Sequence, residues 1–159
     1  MSGGHAEREA GGAHMALFEL HRDAALPVGE VWLRLTDWER HAAALPLTRI
    51  VVTTPFPTHV GTRFVARTGI GPLAFDDPMD VVLWRPPAGG GPGRCRLEKR
   101  GRVVTGWAEL EVSGRPGGGS RVVWREDLGV RGVPRPLDGW TARAGRFVFG
   151  RLVRRLLNQ

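Results

Sequence analysis

Hydrophobic and polar residues alternate through much of the chain, and the alternation divides it into elements. Between Met15 and Ala24, Phe18 and Leu20 fall on one side, and Glu19, His21 and Asp23 on the other. That period of two predicts a half-buried strand. The period then changes. Pro27 suits the first turn of a helix, where its missing N–H costs nothing, and Val31, Trp32 and Leu35 make an apolar stripe. Asp37 ends that helix and is placed to cap a second short one, which runs to Ala44 before Pro46.

Six strand-like runs follow, each bounded by turn residues. They are Arg49–Thr54, Thr62–Thr68, Leu73–Trp84, Arg94–Arg100, Arg102–Val112 and Arg121–Leu128. A bulge is expected at Pro78, because proline cannot donate to a strand ladder. Connections of hairpin length argue for an antiparallel meander and against parallel βαβ units. The last element is a long helix from Asp138, its expected cap, to Leu157. Trp140, Ala144, Val148, Leu152 and Leu156 are expected on one face, widened by Phe149 and Val153, with Arg143, Arg146 and Arg154 opposite. Residues 1–14 have no apolar period and read as a disordered leader before a single domain, 15–159.

Local segments carry a resemblance. Pro27-Val28-Gly29-Glu30-Val31-Trp32 with Leu35-Thr36-Asp37-Trp38-Glu39 is similar to the first-helix signature of the START-like, helix-grip superfamily, also called SRPBCC. Val60-Gly61-Thr62-Arg63-Phe64 is similar to its glycine turn, and Gly118-Gly119-Ser120-Arg121-Val122-Val123-Trp124 to the start of its last strand. The likeness covers about residues 16–157. It implies an α+β helix-grip fold: a seven-stranded antiparallel sheet wrapped round a long C-terminal helix, with two short helices after the first strand. It further implies a cavity that takes a small hydrophobic molecule, either a lipid or a polyketide-like aromatic. The alternative it implies is a polyketide cyclase, aromatase or dehydratase. Cyclases of this kind often orient their substrate with tyrosine and arginine. This chain has no tyrosine, and Arg63 and Arg67 oppose the parity of Phe64 and Ala66, so they are expected in solvent.

Parity also selects candidate chemistry. Asp77 shares the inward side of its strand with Phe75, Met79, Val81 and Leu83. Lys99 shares one with Cys95 and Leu97, and Glu126 with Val122, Trp124 and Leu128. Charged groups on apolar faces need partners. Asp77, Lys99 and Glu126 are therefore the candidate catalytic cluster, able as acid and base to enolise or dehydrate a ketone. The competing structural reading places the same residues at strand ends, in bulges or in a structural ion pair. From the sheet, the expected ligand contacts are Phe64, Phe75, Met79, Leu110 and Trp124. From the helix, they are Trp140, Ala144 and Val148. Gly106 and Ala108, also inward, either leave space or admit close helix packing. Packing is the reading for Trp32, Trp38 and Trp84; for Trp124 and Trp140 the choice between core and pocket stays open.

Composition narrows the rest. Hydrophobic residues make up 42% of 159, enough for a core. No apolar run approaches the ~18 residues that span a bilayer, and no signal pattern opens the chain, so a cytoplasmic protein is expected. Cys95 is the one cysteine and reads as a buried, inert thiol. No two histidines have ligand spacing, so no metal site is expected. His21, His41 and His59 read as solvated, with a lone general base as the alternative. The glycine-rich loops lack the ending of a nucleotide loop, and no cofactor is implied. Net charge is +7, with 23 basic and 16 acidic residues. Most of the excess lies in residues 131–159, with seven arginines against Asp138. A solvated helix face is the reading for that, with a basic surface that meets nucleic acid or an anionic membrane as the alternative; no nucleic acid is expected as a partner. A homodimer is left open.

Overall fold

The computed structural model describes residues 15–132 and 135–158. The predicted leader, 1–14, lies outside them. β1 (Met15–Ala24) is followed by α1 (Val28–Thr36) and α2 (Trp38–Ala44). Then come β2 (Thr48–Val52), β3 (Arg63–Thr68), β4 (Phe75–Arg85), β5 (Gly93–Arg100), β6 (Val104–Gly114), β7 (Ser120–Val130) and α3 (Asp138–Leu157). Asp37 caps α2 by accepting the Arg40 backbone N–H, as its position before an apolar helix predicts.

All seven strands form one antiparallel sheet in the order β1-β7-β6-β5-β4-β3-β2. β1 and β2 are thus opposite edges, and α1 and α2 carry the chain from one to the other. α3 meets the sheet mainly over β1 and touches α1, α2 and β7. It therefore lies toward one side of the concave face and leaves the part over β3–β5 less covered. Gly145 sets how close it comes: a Cβ there would stand 2.7 Å from a ring carbon of Phe18. Phe18 and Phe149 rings stack at 5.9 Å, and Trp124 stacks on Phe149 at 5.4 Å.

Three expectations need correction. The first concerns Pro78, which sits in regular register opposite Val65. The ladder to β5 begins only at Met79 opposite Lys99, so no donor is needed from Pro78. The irregularity lies instead between Val81 and Leu83. Asp77 keeps its inward parity, Leu83 loses it, and Trp84 turns inward to pack on Trp32 at 5.0 Å.

The second concerns the face of α3. Gly145, Leu152, Val153 and Leu156 are buried, while Trp140 is 69% exposed and Ala144 and Val148 are also exposed. A row of i+4 steps advances about 40° per step at 100° per residue, so Trp140 and Leu156 stand roughly 160° apart. They cannot share a buried face. The third is the cap of α3, which is Leu137, with Asp138 as the first helical residue.

Candidate functional site

Between the sheet, α2 and α3 lies a cavity of about 350 Å³. Its wall is mostly apolar and aromatic. Trp38 of α2 stacks on Phe64 of β3 at 4.9 Å and 12°, and Trp124 and Phe149 close the other side. Ala66 and Ala108, with only methyl side chains, leave room on the sheet side. Pro46 and Val148, both lining and exposed, mark the mouth.

One part of the wall is charged. Lys99 Nζ lies 3.1 Å from Asp77 Oδ2 and 3.2 Å from Glu126 Oε1, and all three residues are buried. They come from β4, β5 and β7. The lysine reaches β7 across β6, where its cross-strand neighbour is Gly106 and the neighbour of Glu126 is Ala108. Small residues at these two positions give the lysine its path. Gly106 also has φ 119°, which a side chain would strain. Trp124 Nε1 donates to Glu126 Oε2 at 3.0 Å. Asp77 Oδ1 is buried without a hydrogen-bond partner.

The environment moves each proton. Burial pushes the carboxyls of Asp77 and Glu126 up, against the pull of Lys99. Burial works to lower Lys99, but Glu126 and Asp77 outweigh it and hold the ammonium above its ordinary value. The lysine is thus a fixed cation between two carboxyls that resist ionisation.

The expected contacts divide. Asp77, Lys99 and Glu126 line the cavity, as do Phe64, Phe75, Met79, Trp124 and Val148. Leu110, Trp140 and Ala144 do not. Leu110 is buried in the core between Cys95 and Trp124 on the neighbouring strands. Trp140 and Ala144 are turned away by the drift of the helix face. Arg63 and Arg67 are exposed and pair with Asp80 and Asp76 at 3.1 and 3.3 Å.

His41 corrects another expectation. It is 6% exposed, not solvated, and lines the cavity. Its Nε2 donates to the Leu35 carbonyl at 3.0 Å, and burial lowers its pKa to about 4. The ring is neutral at pH 7, with the proton on Nε2. The signal for it was the spacing of Trp38, His41 and Ala44, which places all three on one buried helix side. Trp38, read as packing, also lines the cavity. Cys95 is buried, and burial pushes its thiol up to about 12. Among the described residues, no group of three or more His, Cys, Asp or Glu side chains is placed to hold a metal ion. No helix among them is long and apolar enough to cross a membrane.

By sequence, no family model and no curated protein matches the chain. By structure, solved proteins do. The crystal structure of Ara h 8.0201 superposes with a TM-score of 0.62 at 10% identity, over 91% of this chain and 99% of that one. The hypothetical protein jhp0584 from Helicobacter pylori superposes with a TM-score of 0.69 at 12% identity, over 99% and 98%. With the strand order and the C-terminal helix, these similarities define an α+β helix-grip fold.

Proposed function

We propose that residues 15–159 form a single domain that binds a small hydrophobic or aromatic molecule, such as a lipid or a polyketide-like compound, between the sheet and α3. One observation carries this reading: a cavity of about 350 Å³ with stacked aromatic walls and a mouth to solvent. Pockets of this size and lining are common ligand sites. A dry apolar cavity of roughly 150 Å³ is enough for benzene, so this one has room for a fused-ring molecule. Native mass spectrometry of the purified protein tests the reading. A bound hydrophobic compound, released when the protein unfolds, is the expected result. An apo mass that no added apolar compound shifts would refute it.

A second reading is favoured by the unpaired Oδ1 of Asp77 beside Lys99. As base, the Asp77 carboxylate would take the α-proton of a bound ketone while Lys99 donates to the carbonyl oxygen, giving an enol. Return of both protons regenerates the ketone; alternatively the β-hydroxyl leaves as water with the proton held by Asp77 while the enol proton returns to Lys99, which completes a dehydration to the enone. Deuterium exchange at the α-carbon of 2-tetralone in D2O, followed by NMR, tests this. Acceleration by the wild type and none by Asp77→Asn is expected of an enzyme. Equal rates leave the chain a binding protein only.

A further inference from the structure

We propose that the charged part of the cavity wall selects an uncharged guest bearing a hydroxyl or carbonyl group and rejects both carboxylates and ammonium ions. This rests on the cavity-binding reading and adds the chemical class of the ligand.

The geometry presents two carboxyls and one ammonium. Asp77 projects from β4, Lys99 from β5 and Glu126 from β7. The other packed elements bring no further charge: α2 contributes His41, α3 contributes Val148 and Phe149, β2 and β3 contribute apolar side chains with the neutral, mutually hydrogen-bonded hydroxyls of Thr48 and Thr68, and β6 contributes apolar side chains. His41 is neutral, since its pKa is held near 4. Full ionisation of the trio would leave an excess negative charge in an apolar hollow, which is costly. Retention of one proton by the two carboxyls brings the trio to zero. The upward push on both carboxyls acts in that direction.

The valences then identify the contact atom. Glu126 Oε2 accepts from Trp124 Nε1 at 3.0 Å, while its Oε1 forms no hydrogen bond but stands 3.2 Å from the Lys99 ammonium as an ion pair. Asp77 Oδ2 faces Lys99, and Oδ1 has no partner. When Asp77 holds the proton, Oδ1 can donate to a carbonyl. When it is ionised, Oδ1 accepts from a hydroxyl. An incoming carboxylate would find Lys99 already shared by two acids. An incoming ammonium would meet the charge of Lys99.

Equilibrium dialysis at pH 7 with naphthalene, 2-naphthol, 2-naphthoate and 2-naphthylmethylammonium tests the proposal at nearly constant ring size. The expected order is naphthol tightest, by about tenfold over naphthalene and over either ion, the scale of one hydrogen bond to an ionisable group. In Asp77→Asn, where Lys99 faces one acid instead of two, the advantage over 2-naphthoate should shrink and that over the ammonium should not. If naphthalene binds but naphthol does not exceed it, or if either ion matches naphthol, the selection is refuted and the cavity reading stands. If none of the four binds, both fall. The wild-type series decides the matter even where the variant fails to fold.

Discussion

Lys99 Nζ on β5 lies 3.2 Å from Glu126 Oε1 on β7, with the whole width of β6 between their backbones. The contact exists because β6 presents Gly106 and Ala108 at the crossing. It makes the lysine the single cation for two buried carboxyls, and that sets a stability relation.

Lys99→Met should therefore destabilise the protein by about 3–5 kcal/mol at pH 7, the usual cost of removing one partner of a buried ion pair. The sign of its pH dependence follows from the raised carboxyls. Below the unfolded-state pKa, near 4, both states hold their protons and nothing is lost. As pH rises through the folded values, the unfolded chain ionises freely and the folded one resists, so stability falls. Urea denaturation from pH 4 to 8 measures it. A variant as stable at pH 8 as at pH 4, relative to wild type, would contradict the network.

His41 acts in the opposite direction. Its pKa is about 4 in the folded protein against 6.5 for an unperturbed imidazole. The unfolded chain therefore takes up a proton first as pH falls through 6.5, and stability drops until pH reaches about 4. The loss is about 2–3 kcal/mol. Comparing wild type with His41→Gln at pH 7 and pH 4.5 isolates it, since the carboxyls are common to both. An equal acid response in the two proteins would refute a buried neutral ring.

The two halves of α3 should respond differently to truncation. Trp140→Ala removes a ring that is 69% exposed and should change stability by less than about 0.5 kcal/mol. Leu152→Ala removes a fully buried side chain and should cost about 2–5 kcal/mol. Gly145→Ala should destabilise although alanine is the better helix former, because its methyl meets Phe18. Thermal melts of the three variants check this. A large loss at Trp140 would restore the buried face that the i+4 row suggested.

Cys95 should be silent toward a thiol reagent in the folded protein and react fully once unfolded. Its thiol is 1% exposed and pushed up to about 12, so the reactive thiolate is absent at neutral pH. Rapid labelling of the native protein by 5,5′-dithiobis(2-nitrobenzoate) would contradict that placement.

The strands were legible in the sequence because one side of the sheet is buried and the period of two is clean. For the same reason Asp77, Lys99 and Glu126 stood out as polar residues on apolar faces, and they converge. A seven-residue helix carries too few apolar positions to fix its phase, so the sequence alone puts His41 at the surface. The reading of α3 failed for a geometric reason: apolar residues four apart drift round a helix, and only contact with β1 tells which of them go inside. Pro78 misled because its effect depends on where the β5 ladder begins, a register that local sequence does not contain.

The hollow itself is the central claim, and titration with the neutral dye N-phenyl-1-naphthylamine tests it most directly. Saturable fluorescence at a single site is expected for the wild type. Marked weakening is expected in Ala66→Phe, where a ring would occupy the space beside Phe64 and Asp77. Fluorescence that never saturates, or an affinity untouched by filling the cavity in a folded variant, would contradict the account.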